Sequence, residues 1–300
     1  MKSKQAVMAG LWLAVLGAQA GIAADSVDAA PARMSAEMRI LATKPQALGN
    51  GRAWVYVALD ARAAPLALGV TMDKAALDGL PAHPNTTSRC FDKNGNGKIE
   101  AGECNGDYQL TFTLPEHEAA RNLKPFKWVG LNWNPHGHGH PAPKAYAEPH
   151  FDFHFYTADR QAVKQLKPGA CGEFIDCEDF KKATRPVPPR YVHQDHINVG
   201  GAVPDMGNHL IDSKAPELAK EGKFSHTFIF GAYDGEITFY EPMITREFLA
   251  SGPDVCVPIK QPQAWAAEGY YPTVYCMRYS ERTRRYSVSL EGFVQRAGNQ

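Results

Sequence analysis

The sequence predicts a mainly β fold: a single antiparallel β-barrel or sandwich-like domain with short peripheral helices. Three observations carry that reading. Runs of alternating apolar and polar residues recur from residue 53 onward, the pattern of strands with one buried face. Asp234-Gly235 separates two apolar runs, a strong two-residue hairpin signal. Segments with helical periodicity are short and no internal repeat is visible, which leaves strands to build the core.

In chain order, residues 1–24 read as a secretory signal peptide. Lys2 and Lys4 give a basic start, and Ala6 to Leu16 form an apolar stretch too short for a membrane span. Ala18-Gln19-Ala20 supplies a small-residue cleavage site, with Ala23-Ala24 a second candidate. Residues 25–50 are expected to be a mobile N-terminal segment, and residues 51–300 a single β-rich domain. Trp54 to Leu59 reads as a strand. Pro65 to Val70 leads into a short helix from Thr71 to Leu80, with Thr71 as cap and Gly79 as stop. Phe126 to Trp133 is a strand ended by Asn134-Pro135, and after a His/Gly/Pro loop comes the strand His150 to Tyr156. Asp159 to Leu166 looks helical. Residues 167–222 look irregular, an excursion over the body with four prolines between Arg185 and Pro204. His226 to Tyr233 and Glu236 to Ile244 flank Asp234-Gly235 as a hairpin. Tyr270 to Tyr279 and Tyr286 to Val294 form a second hairpin.

The chain carries 32 Lys and Arg against 32 Asp and Glu, for a formal net charge of zero. Its longest basic cluster is Arg282-Thr283-Arg284-Arg285. That balance argues against nucleic-acid binding. No segment reaches the roughly 18 apolar residues of a membrane helix. An exported chain, periplasmic or secreted, permits disulfides. The six cysteines fall into three local pairs, Cys90/Cys104, Cys171/Cys177 and Cys256/Cys276, a pairing that rests on proximity.

Asp92 to Glu103, DKNGNGKIEAGE, has the pattern of an EF-hand-type calcium loop. Such a loop takes oxygen ligands at positions 1, 3, 5, 9 and 12, a carbonyl at 7 and a glycine at 6. Asp92, Asn94, Asn96, Glu100 and Glu103 fill the first set, Lys98 the carbonyl position and Gly97 the turn. Three carboxylates opposed by Lys93 and Lys98 imply weak Ca²⁺ affinity, on the order of 10⁻⁴–10⁻³ M. The prolines before the loop and the alternating DYQLTFTLP after it do not provide the helices of a full EF-hand. The expected role is therefore a structural clip, inserted at residues 90–104 and closed by Cys90/Cys104. That closure is worth about 3 kcal/mol on loop-entropy grounds.

The strand PHFDFHFY is the second informative feature. Alternation places His150, Asp152 and His154 on one face and Phe151, Phe153 and Phe155 on the other. His150 and His154 stand roughly 13 Å apart along a strand, too far to share one ion easily. Asp152 with one neighbour is close enough, so further ligands must come from elsewhere: His138 or His140 of the HGHGHP loop, His193, His196, His209 or Glu241. An unbulged hairpin pairs Phe228 with Glu241, which sets that carboxylate on an aromatic face. There it demands a cation, a metal or hydrogen-bond donors. The set His138, His150, Asp152, His154, His209 and Glu241 is thus a second candidate metal site, for a transition metal. Ordinary buried polar networks are the competing reading. Motifs for a cupin, a serine hydrolase or a His-Glu-x-x-His metalloprotease are absent.

The strings NWNPHGHGHPAPKAYAEPHFDFHFY, VPDMGNHLID and HTFIFGAYDGEITFYEPMIT, spread over roughly residues 50–250, resemble the TTHB210-like family of bacterial proteins of unknown function. The resemblance implies a mostly β fold and points to a homo-oligomer. The shared residues include His138, His150, Asp152, His154, His209, Asp234, Gly235 and Glu241, and no catalytic role comes with them. The calcium loop looks like an insertion into the pattern.

Two functions follow as expectations. One is an exported calcium-binding protein, clipped by its loop, with a small-molecule or protein partner. The other is a metal-dependent enzyme using the His/Asp/Glu set. An assembly protein pairing β edges between subunits is a third reading.

Overall fold

The computed structural model describes residues 38–138 and 145–299. The signal segment, residues 25–37 and His140 lie outside the described residues. Two seven-stranded antiparallel sheets make the body, and no ladder joins them. The fold is therefore sandwich-like and not a closed barrel. The first sheet runs Arg39–Ala42, Gly51–Leu59, Pro65–Asp73, Arg285–Glu291, Val274–Ser280 and Asp254–Pro258, with Gln46–Leu48 also on Gly51–Leu59. The second runs His196–Val203, Gly207–Asp212, His226–Tyr233, Glu236–Thr245, His150–Tyr156, Trp128–Asn134 and Tyr108–Thr113.

Alternation builds the core between them. Val55, Val57, Leu68, Val70, Met72, Val288 and Leu290 of the first sheet share one apolar cluster with Phe151, Phe153, Phe155, Phe228, Phe230 and Tyr240 of the second. The opposite face of the second sheet is also buried. Smaller apolar clusters cover it, around Trp128, Tyr156 and Phe239 at one place and around Tyr146, Phe224, Ile229 and Met243 at another. Polar residues on that face are consequently removed from water, which is what gives the site its character.

Four expectations need correction. The chain is structured from well before residue 51: Arg39–Ala42 and Gln46–Leu48 both pair with Gly51–Leu59. The helix expected from Thr71 is a strand continuing to Asp73, followed by a single 3₁₀ turn, Lys74–Leu77. Thr71 is held in the ladder opposite Ser287 and Trp54, so sheet pairing overrides the local cap signal. Residues 167–222 are not irregular throughout. They contain the helix Cys177–Ala183 and two strands of the second sheet. The His196–Val203 ladder breaks register between Asn198 and Gly201, and Gly207–Asp212 is buried along almost its whole length. A bulge and two-sided burial each erase the period-two signal.

The fourth correction matters for function. Asp234-Gly235 does form the hairpin turn, with both residues at positive φ, as a type I′ turn requires. Beyond it the register shifts between Gly231 and Ala232. Thr238 is the extra residue, so Glu241 faces Ile229 where Phe228 was expected. Glu241 therefore leaves the aromatic core face and joins Phe239 and Met243 on the covered polar face. A Cβ on Gly231 would lie 2.1 Å from the Phe239 ring. Gly231→Ala is expected to destabilise by about 1–3 kcal/mol through overpacking, read as a lowered urea midpoint; an unchanged midpoint would mean that Phe239 moves freely.

All three cysteine pairs expected from proximity are disulfides: Cys90–Cys104, Cys171–Cys177 and Cys256–Cys276. Such bonds belong to an oxidising compartment. No helix among the described residues is long and apolar enough to cross a membrane.

Candidate metal centre

The central strand of the polar face is His150–Tyr156, flanked by Trp128–Asn134 and Glu236–Thr245. Its three phenylalanines enter the core, so the alternate positions must point to the covered face. His150 and His154 are fully buried there and Asp152 is 4% exposed. Neighbouring strands add Glu241 and His209, both buried, and the loop after Asn134 adds half-buried His138. The six residues do not form one site. They form two groups, His138/His150/Asp152 and His154/His209/Glu241, each with ligand atoms within 4.8 Å of one another. This division follows the spacing along the strand.

In the second group His154 Nε2 lies 3.3 Å from Glu241 Oε1, and His209 Nε2 lies 3.7 Å from Glu241 Oε2. Ligands about 2.0–2.1 Å from a tetrahedral ion are separated by roughly 3.3–3.4 Å, so the spacing suits a shared ion after small adjustment. Both ring nitrogens of His154 and Glu241 Oε2 are buried without a hydrogen-bond partner. Buried polar atoms are ordinarily satisfied, and exceptions call for an explanation. His209 Nδ1 is 2.8 Å from Gly201 O. A carbonyl only accepts, so Nδ1 carries the proton and Nε2 presents a lone pair to Glu241. A carbonyl fixing the tautomer of an imidazole is the usual outer support of a metal ligand.

Burial sets the charges. It lowers His154 to about 3 and also lowers His209, so both rings are neutral at pH 7. Burial, aided by the nearby Asp152 charge, pushes the Glu241 carboxyl well above its usual range. A cation binding here meets two neutral imidazoles and a carboxyl whose ionised form burial otherwise disfavours. Phe239 stands edge-on to both rings, 4.9 Å from His154 and 5.2 Å from His209 between centroids, and keeps the surroundings apolar.

The first group is tighter. His150 Nε2 is 3.0 Å from His138 Nε2 and 3.1 Å from Asp152 Oδ1. His150 Nδ1 lies 2.7 Å from Glu148 O, and Asn134 Nδ2 donates to Asp152 Oδ2 at 2.7 Å. Burial opposes the Asp152 charge, but the neighbouring histidines outweigh it and hold this carboxyl below the ordinary range. A small cavity of about 40 Å³ reaches both groups and is lined by His138, Asp152, His209, Asn134, Asp107 and Glu173.

Sequence reasoning missed a third component. Arg89 pairs with Asp107, and Asn132 donates to the other Asp107 oxygen. The Arg89 and Asp107 side chains are each 2% exposed. Arg89 precedes Cys90, so this pair ties the neck of the 90–104 insertion to the polar sheet face. Asn132 and Asn134 alternate in a wholly buried strand; polar residues at alternate positions of LNWN were the available signal. His196, another candidate, stands apart from both groups, with Nε2 3.4 Å from Phe228 O. Burial pushes it down to about 4. The unfolded chain binds the proton first, so stability is present above pH 6.5 and falls as pH drops from 6.5 toward 4. The loss approaches about 3 kcal/mol. Urea midpoints at pH 7 and pH 4.5 check this. His196→Gln should shrink the difference, and an equal pH dependence in the variant would contradict it.

The 92–103 loop is wound around its own carboxylates. Asp92 accepts from the backbone N–H groups of Gly95, Asn96 and Gly97 at 2.8, 3.1 and 2.7 Å. Gly97 has φ +77°, the turn conformation that position 6 demands. Glu103 accepts from the Lys93 and Asn94 amides at 2.9 and 3.0 Å. The Asn94 and Asn96 amides sit 3.5 and 3.4 Å from Glu100. Asp92, Glu100 and Glu103 are not gathered as closely as the two histidine groups.

A far larger cavity, about 1590 Å³, lies elsewhere. It is walled by Phe126, Tyr191, Phe230, Tyr240, Trp265 and Tyr271, and no residue of either histidine group lines it. Size alone does not locate the titratable chemistry. No family model, curated protein or solved structure matches the chain.

Proposed function

We propose that this is an exported metalloprotein whose central ion, a divalent transition metal, is held by His154, His209 and Glu241. One observation carries the reading: two imidazoles and a carboxylate converge in a buried site with nitrogen and oxygen atoms that nothing else satisfies. Imidazole and carboxylate ligands suit zinc, iron or their neighbours. In this reading the 92–103 loop takes calcium as a structural clip at its extracellular-type affinity, and the compartment is the periplasm or the outside medium.

The enzyme reading is favoured by the cavity that His209 lines, and bounded by it. About 40 Å³ admits water or a molecule of a few atoms, whereas organic-substrate pockets run to about 300–1,000 Å³. An activity at this ion would act on water, dioxygen, peroxide or a molecule of that size. The test is metal content by mass spectrometry on protein purified without a His-tag, before and after mild chelation. Stoichiometric transition metal that Glu241→Gln removes is expected. Calcium as the sole ion, abolished by Asp92→Ala, would leave a calcium-clipped β protein.

A further inference from the structure

We propose that His138, His150 and Asp152 hold a second divalent transition-metal ion, making the polar face a two-ion centre around one small cavity. The inference rests on the reading of this face as metal-binding, but it uses its own ligands. His150 Nδ1 faces the Glu148 carbonyl at 2.7 Å and must donate to it, so a neutral His150 presents only a lone pair at Nε2. That lone pair meets Asp152 Oδ1 at 3.1 Å and His138 Nε2 at 3.0 Å. A carboxylate only accepts. His138 Nε2 can donate an N–H to that lone pair, but Asp152 Oδ1 cannot, and lone pair against lone pair at 3.1 Å is repulsive in a buried site unless a cation stands between them. A proton on His150 is one such cation and a metal ion is the other.

Three features favour the metal. The separations of 3.0 and 3.1 Å are close to the roughly 3.3–3.4 Å between ligands of a tetrahedral ion, with His138 Nε2 to Asp152 Oδ2 somewhat longer at 4.0 Å. Asp152 is 4% exposed and its Oδ1 has no partner besides the His150 ring 3.1 Å away, which leaves this buried carboxylate oxygen open to a cation. Both remaining ligand positions are braced from outside, His150 by Glu148 O and Asp152 by Asn134 Nδ2, as metal ligands ordinarily are. His138 and Asp152 line the same cavity as His209. Asp152 and His154 are two residues apart on one strand face, roughly 7 Å between positions, so the two ions would be near neighbours with separate ligand sets. His138 is the only one of these ligands on a loop, and its side chain is 27% exposed. It is the natural point of entry for the second ion.

Zinc titration of the untagged full chain, followed by dialysis and mass spectrometry, separates the outcomes. Wild type is expected to retain two zinc ions per chain, His138→Ala one, Glu241→Gln one and the double variant none, each with an unchanged circular dichroism spectrum. His138→Ala replaces a partly exposed loop side chain, so it is the variant least prone to misfold. His136→Ala, at an exposed position of the same loop, should retain both ions. One ion in wild type, lost in Glu241→Gln and kept in His138→Ala, would overturn the second site and leave the first standing. One ion lost only in His138→Ala would sustain this site and overturn the other. An equal loss in His136→Ala would show an adventitious loop ion and overturn the proposal.

Discussion

Glu241→Gln is expected to abolish tight transition-metal binding at the His154/His209 pair while leaving the fold in place. The substitution keeps shape and removes the sole anionic ligand of that group. Loss of an outer-shell partner weakens metal sites by about 10–100-fold, and loss of the charged ligand should exceed that. The buried site makes the charge decisive: two neutral imidazoles in apolar surroundings offer a divalent ion no compensation for its lost hydration. Because burial disfavours the ionised form of Glu241, the neutral Gln is a close match in shape and polarity, and the stability of the metal-free chain should barely change. Thermal melts with and without zinc read the difference. Saturating zinc, at about 1,000 times its Kd, stabilises the one-site His138→Ala chain by about 4 kcal/mol, and this gain should vanish when Glu241→Gln is added. An undiminished gain in that variant would mean that the ion resides elsewhere.

Arg89→Ala is expected to cost about 3–5 kcal/mol. Arg89 and Asp107 are buried together, and removing one partner leaves the other charge desolvated and unpaired. The damage should be asymmetric: Arg89→Ala with Asp107→Ala together should cost less than the sum, since the unpaired charge is gone. The consequence reaches the polar sheet face, because Asp107 also receives Asn132 and lines the small cavity. Urea denaturation of the two single variants and the double variant measures the coupling. A single-variant cost below about 1 kcal/mol would show that the pair is effectively solvated.

The histidine strand was legible because its alternation has full contrast, with aromatic residues on one side and His-Asp-His on the other. Pairing within the hairpin was legible from Asp234-Gly235. Its register was not, since one extra residue, Thr238, shifts every position beyond it and moves Glu241 from the core face to the covered polar face. His209 was recognised as a candidate, but its segment read as irregular because a strand buried on both sides has no alternation to show. Strand rise separated His150 from His154, but the assignment of Asp152, His138, His209 and Glu241 to two groups came only with the folded sheet. That His138 completes the first group depends on how the loop after Asn134 folds back, and that His209 completes the second depends on the pairing of Gly207–Asp212 within the sheet. The Arg89–Asp107 pair was invisible for a similar reason: it is created by the closing of the Cys90–Cys104 neck, not by any local pattern.

The central claim is that two imidazoles and one carboxylate bind a transition metal within the β sandwich. Zinc K-edge absorption of the His138→Ala chain, loaded with one equivalent, tests it most directly. The expected first shell contains two imidazole nitrogens and carboxylate oxygen at about 2.0–2.1 Å, and it should be lost in the His138→Ala, Glu241→Gln double variant. A shell of oxygens without imidazole scattering, or one unchanged by Glu241→Gln, would contradict the account.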